Sequence, residues 1–198
     1  MQPDNAIPEP PQRIVLVGFM GAGKSTVGPL LADRLGWRFV DADHYLQAKS
    51  GSTIPEIFST HGEGAFRRME AEAIRELHCH REIVLALGGG ALEAESTRNL
   101  LYGFADTCVV FLKASLEVMI GRCENQRNVA LRPILQQRET LVDRFQSRLV
   151  HYEKANITIV TDGIDPEAVA EDILVRLTMG DRIENSKAAS SKERAIAK

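Results

Sequence analysis

The chain has 198 residues, 44% apolar and 26% charged, a balance that suits one soluble globular domain with a sizeable core. Its net charge of −3 gives no basic surface for nucleic acid or an acidic membrane, and no apolar stretch reaches the length of a bilayer span. No basic segment followed by an apolar run opens it, and Cys79, Cys108 and Cys123 form no CxxC pair, so a reduced, cytoplasmic setting is expected.

Residues 1–11, rich in proline and polar groups, read as a loose tail. A strand predicted over 13–17 contains the apolar run Ile14-Val15-Leu16-Val17. It leads into Gly18-Phe19-Met20-Gly21-Ala22-Gly23-Lys24-Ser25-Thr26, a complete GxxxxGK[ST] pattern, and then a helix over 24–35. Glycines there let the backbone curl around phosphates, while the helix N-terminus adds N–H groups and partial positive charge. Lys24 supplies a point charge, the Ser25 hydroxyl a hard oxygen for Mg²⁺, and Thr26 a contact on the α-phosphate side.

The second strand, over 38–41, ends in Phe39-Val40-Asp41-Ala42-Asp43. One of these carboxylates can hold a metal through water while the other takes a proton from a hydroxyl substrate; the bland alternative makes Asp43 the N-cap of the helix over 42–50. Helices over 53–60 and 64–80 follow, and on the latter Arg67 and Glu70 share a face, so Glu70 can hold a guanidinium that suits a carboxylate substrate. His78 and His80 read as a helix end rather than a metal site. The strand over 83–87 ends in Gly88-Gly89-Gly90, where a ligand is expected to approach the backbone closely. After a helix over 94–102, a strand over 107–112 and a helix over 115–123, the segment 122–136 reads as a mobile lid carrying Arg132 toward the phosphates. A helix over 137–153, a strand over 157–161 and a helix over 166–178 complete the domain, placed at 12–180, and 181–198 reads as a solvated tail.

Nearly continuous apolar strands alternating with helices predict a three-layer α/β fold with a parallel sheet, whose ligands bind beyond the carboxyl ends of the strands. The order of the phosphate loop, Asp41-x-Asp43, Phe66-Arg67-Arg68-x-Glu70, Gly88-Gly89-Gly90, Arg132-Pro133 and Arg148 with Tyr152 resembles the shikimate kinase family over residues 13–178. The resemblance implies a P-loop kinase fold of five strands in the order 2-3-1-4-5 and transfer of the γ-phosphoryl of ATP to the 3-hydroxyl of shikimate, with Mg²⁺. It implies catalytic roles for Lys24, Asp43 and Arg132, and nucleotide contacts from Gly21, Ala22, Gly23, Lys24, Ser25, Thr26, Arg122 and Arg132, Arg122 being near the adenine. Shikimate would be held by Asp43, Arg67, Gly88, Gly89, Gly90 and Arg148, and Mg²⁺ by Ser25 and Asp41. A monomer is expected, with no nucleic-acid or membrane partner.

Two features depart from the family pattern: Pro29 stands where Arg is frequent, and Val150 where proline is common. The alternatives are a sister kinase of the same fold, acting on gluconate or a nucleoside monophosphate, and a non-catalytic nucleotide-binding relative. A GTPase is disfavoured because no Asn-Lys-x-Asp occurs, and Asp33-Arg34-Leu35-Gly36 falls inside the first helix.

Overall fold

A computed structural model of the chain describes residues 10–125 and 138–179. In chain order the elements are β1 (Arg13–Val17), α1 (Lys24–Leu35), β2 (Arg38–Asp41), α2 (Ala42–Ser50), α3 (Ile54–His78), β3 (Ile83–Ala86), a 3₁₀ turn (Ala91–Glu93), α4 (Glu95–Tyr102), β4 (Thr107–Lys113), α5 (Leu116–Asn125), α6 (Arg138–Tyr152), β5 (Ile157–Val160) and α7 (Pro166–Met179). The strands form one parallel sheet in the order β2-β3-β1-β4-β5, with helices on both sides.

Burial follows position in the sheet. The central strands β1 and β3 are buried at every residue, and β4 at all but its last, as a sheet covered on both faces requires. Edge strand β2 is half-buried and β5 alternates, because each has a neighbour on one side alone. Ile14, Leu16, Leu85, Val109 and Leu112 anchor the main core. A second cluster of Leu46, Ile57, Phe66 and Ala73 holds α2 against α3 and supports the wall that carries Arg67.

The predicted boundaries agree to within two residues, and the small differences have local causes. Strand β3 stops at Ala86, although the Leu87 N–H still donates to the Leu16 carbonyl at 3.1 Å. The predicted helices over 53–60 and 64–80 are present as two helical stretches of α3, the first opened by a Thr53–Glu56 capping box, and they meet in a kink at Gly62, whose φ of 76° and ψ of 169° lie outside any helix. The helical pattern ends at His78, with Cys79 as its C-cap. Pro29 lies exposed within α1, which continues through it to Leu35. Among the described residues, no helix is long and apolar enough to cross a membrane.

Candidate active site

The site forms where β1, β2 and β3 end. Gly23 caps α1 with φ of 102°, a left-handed conformation that glycine takes without strain, and no side chain caps this end of the helix. Its N–H groups and dipole are therefore left for an anion. Lys24 lies across the loop, its Nζ donating to the carbonyls of Gly18 at 2.7 Å and Phe19 at 3.1 Å. Burial lowers its pKa from 10.5 to about 8, against the opposing pull of Asp43 and Asp41.

Asp41 and Asp43 divide their work differently from the cap expectation. Asp41, not Asp43, caps α2: its Oδ1 accepts the N–H groups of Asp43 at 3.0 Å and His44 at 3.3 Å. The cap sits two residues earlier than that alternative placed it because Asp41 keeps extended backbone at the end of β2, which a cap requires, whereas Asp43 is already inside the helix. The other Asp41 oxygen accepts the Ser25 hydroxyl at 3.0 Å. Asp43 is thereby released from capping, and its carboxylate lines the cleft. Burial raises its pKa above the ordinary aspartate value, and the nearby negative charge of Asp41 adds to the rise.

The cleft has a volume of about 870 Å³. Gly21–Thr26, Asp41, Asp43, Gly88, Gly89 and Arg148 line it, together with Arg122, Thr161 and Ile164. Arg67 and Gly90 do not line it, yet Arg67 is coupled electrostatically to Asp43. Where a ligand is expected to approach the three glycines, the protein's own side chains come close to Gly88 and Gly90. A Cβ on Gly88 would stand 2.8 Å from Asp43 Oδ1 and 2.9 Å from Glu70 Oε1, and one on Gly90 would stand 2.6 Å from Arg67 Nη1. Arg67 Nη1 donates to Glu70 Oε2 at 2.8 Å, the partnership read from their spacing. Glu70 is buried, which raises its pKa, while Arg67 opposes the rise. Arg148 lies over the Phe19 ring, 5.6 Å from its centroid, and the hydroxyl of Tyr152, four residues on, donates to the Gly89 carbonyl.

Arg122 has a role that the resemblance did not specify. Its guanidinium donates to the Gly21 carbonyl at 3.2 Å, the Thr161 carbonyl at 2.6 Å and Thr161 Oγ1 at 3.1 Å, and Thr161 in turn donates to the Ala22 carbonyl at 3.3 Å. It ties the phosphate loop to the end of β5, on the side of the cleft that Ile164 and Val169 make apolar. Sequence reasoning missed Thr161 and Glu93. Thr161 closes an apolar run and Glu93 sits in a short 3₁₀ turn, and neither position carries a period or motif. Arg132 and the part of the expected lid over 126–136 lie outside the described residues.

The donors fit a magnesium ion bound with a nucleotide. Ser25 and Asp41 bring one hydroxyl and one carboxylate together at the loop, and Mg²⁺ takes one or two protein oxygens with the rest of its shell from phosphate and water. Among the described residues no group of three or more His, Cys, Asp or Glu could hold a metal, and this arrangement does not need one.

A shikimate kinase family model matches residues 20–178. The shikimate kinase of Geobacter sulfurreducens is 42% identical over 171 residues, covering 85% of this chain and 92% of its own. That of Thermus thermophilus is 40% identical over 174 residues, covering 86% of this chain and 92% of its own. The solved structure of shikimate kinase from Acinetobacter baumannii in complex with shikimate superposes with a TM-score of 0.79 at 36% identity, covering 87% of this chain and 96% of that one.

Proposed function

The chain belongs to the shikimate kinase family, ATP-dependent kinases that act on a hydroxyl of shikimate, and we propose that it transfers the γ-phosphoryl group of ATP to the 3-hydroxyl with Asp43 as the proton acceptor. The observation that carries this reading is the placement of the uncapped Asp43 carboxylate in one cleft with Lys24 and the open N-terminus of α1.

The residues divide the reaction by charge. Lys24 and the N–H groups of α1 take the polyphosphate, and the Arg122–Thr161 tie holds the loop in shape. Magnesium held by Ser25 and Asp41 would neutralise phosphate charge during transfer. Arg67 and Arg148 hold the substrate carboxylate, and Gly88–Gly90 let the substrate and Asp43 lie close to the backbone. Holding the substrate at its far end turns one hydroxyl toward Asp43, which converts an encounter into a positioned reaction. A carboxylate whose pKa is raised by burial is a better proton acceptor than an ordinary aspartate, provided it is still ionised at the working pH. Arg132 adds positive charge as the phosphoryl group moves. The setting that fits is a cytoplasmic monomer with a small-molecule substrate and no nucleic-acid or membrane partner, in keeping with the net charge of −3 and with Cys79, Cys108 and Cys123 outside any disulfide.

The test is ADP release from MgATP with and without shikimate, in the wild type and in Asp43→Asn. Release that depends on shikimate is expected, with kcat lowered by about 10²–10⁴-fold in the variant while ATP still binds. ADP release indifferent to shikimate, or an active Asp43→Asn enzyme, overturns the reading.

A further inference from the structure

We infer that Glu93 is a built-in competitor for the substrate carboxylate, a specificity-determining residue that sets how tightly this enzyme holds shikimate. The inference rests on the proposed roles of Arg67 and Arg148. Glu93 spans both guanidinium groups: its Oε1 accepts from Arg148 Nε at 2.7 Å, and its Oε2 lies 3.4 Å from Arg67 Nη2. One carboxylate bridging two arginines is the arrangement that a bidentate carboxylate substrate would take.

The charge balance points the same way. Arg67 already faces three carboxylates, those of Glu63, Glu70 and Glu93. The two guanidinium groups are therefore outnumbered, and Asp43 adds a further negative charge to the same neighbourhood. A substrate carboxylate arriving there would be repelled unless one of the acidic groups leaves. The three are not equally free to do so. Glu70 is 5% exposed in its side chain and bonded at 2.8 Å, so it stays. Glu63 is 68% exposed and touches Arg67 but not Arg148, so its departure would leave Arg148 engaged. Glu93 is 38% exposed, touches both arginines, and can swing toward solvent without burying a charge. Its backbone need not move, because Arg98 Nη1 pins the carbonyls of Leu92 and Glu93 at 2.6 and 2.8 Å.

The test is equilibrium binding of shikimate and of its methyl ester, which lacks the negative charge, to the wild type, Glu93→Gln, Glu93→Asp and Arg148→Met. Glu93→Gln keeps the shape of the side chain and removes its charge. It should bind shikimate roughly three- to tenfold more tightly, the range open to two partly exposed ion pairs, and leave the ester unchanged. In turnover this appears as a lower shikimate KM at unchanged kcat and unchanged ATP KM. Glu93→Asp, which retains the charge, should stay close to the wild type. Shikimate binding that is unchanged or weaker in Glu93→Gln, while Arg148→Met still weakens it, overturns the role of Glu93 alone. Equal tightening of the ester overturns it as well, because the effect would then be steric. Arg148→Met binding shikimate as tightly as the wild type overturns the carboxylate grip and, with it, the role of Glu93.

Discussion

Lys24 holds an ammonium in the partly buried cleft beside two carboxylates, and burial still outweighs their attraction, leaving its pKa at about 8. Two outcomes follow. In the nucleotide-free protein at pH 8, about half of the Lys24 side chains are neutral, and a bound triphosphate restores the charge. Nucleotide binding should therefore take up close to half a proton at pH 8 (roughly half, from a pKa near the ambient pH) and much less at pH 6.5, as read by calorimetry in two buffers of different ionisation heat. Uptake that does not change between these pH values would contradict the lowered pKa. The second outcome concerns stability. The unfolded chain keeps its lysine proton up to about pH 10.5 and the folded protein gives it up near 8, so the cost of burying the charge is complete below pH 8 and is relieved as pH rises between the two. Lys24→Met should make the nucleotide-free protein more stable at pH 7, by at most about 3.4 kcal/mol at 1.36 kcal/mol per pKa unit, less what the Gly18 and Phe19 carbonyls lose as their donor disappears. Chemical denaturation at pH 7 measures it, and a less stable variant would show that the two hydrogen bonds outweigh the desolvation.

At the scale of elements, Asp41 caps a helix and meets Ser25 with the same carboxylate, and the proposed magnesium role would fall to the oxygen facing Ser25. Its Oδ1 caps α2 and its Oδ2 meets Ser25, so the two roles separate by substitution. Asp41→Asn keeps an oxygen able to cap and should leave stability within about 0.5 kcal/mol, whereas Asp41→Ala should cost about 1 kcal/mol. Both should raise the magnesium concentration needed for activity, read by titrating Mg²⁺ at fixed ATP. Normal magnesium dependence in both variants would leave Asp41 with the cap alone. The pairing of strand end and phosphate loop was legible in the sequence because both are local: an apolar run, a fixed spacing of glycines, and acids where the second strand stops. Which aspartate caps was not, since both stand near the start of α2 and the choice depends on where β2 gives way to the helix. The break between the helices over 53–60 and 64–80 was legible too, and Gly62 shows why, since its φ of 76° and ψ of 169° interrupt the helical period at a residue without a side chain. The contacts of Glu93 with Arg67 and Arg148 join residues 26 and 55 positions apart, and no periodicity encodes them.

Across the whole molecule, the sheet has a reactive end and a structural end. Phosphate loop, acids and glycines gather at the carboxyl ends of the strands. At their amino ends Arg13 Nη1 pairs with Asp106 at 2.6 Å and its Nε donates to the His78 carbonyl, also at 2.6 Å. His78 is buried there against Phe104, with its Nε2 2.9 Å from Thr107 Oγ1. These contacts bring together residues as far apart as Arg13 and Asp106, which is why His78 read only as the end of a helix. The cluster makes stability, rather than chemistry, depend on pH. Burial lowers the His78 pKa below its ordinary 6.5, and the positive charge of Arg13 lowers it further. Above pH 6.5 the ring is neutral in both folded and unfolded chains and contributes its full packing. As pH falls below 6.5 the unfolded chain takes a proton that the folded one refuses, so the unfolded state gains and stability drops until the folded-state pKa is reached. Urea midpoints measured from pH 7.5 down to 5 should fall for the wild type. They should fall less steeply for His78→Gln, whose amide can replace the bond to Thr107 but does not titrate. Because the cluster lies at the opposite end of the sheet from Asp43 and Lys24, kcat at pH 7.5 should be the same in both proteins. Parallel midpoint curves would mean that other groups carry the acid sensitivity, and a lowered kcat would mean that the two ends of the sheet are coupled.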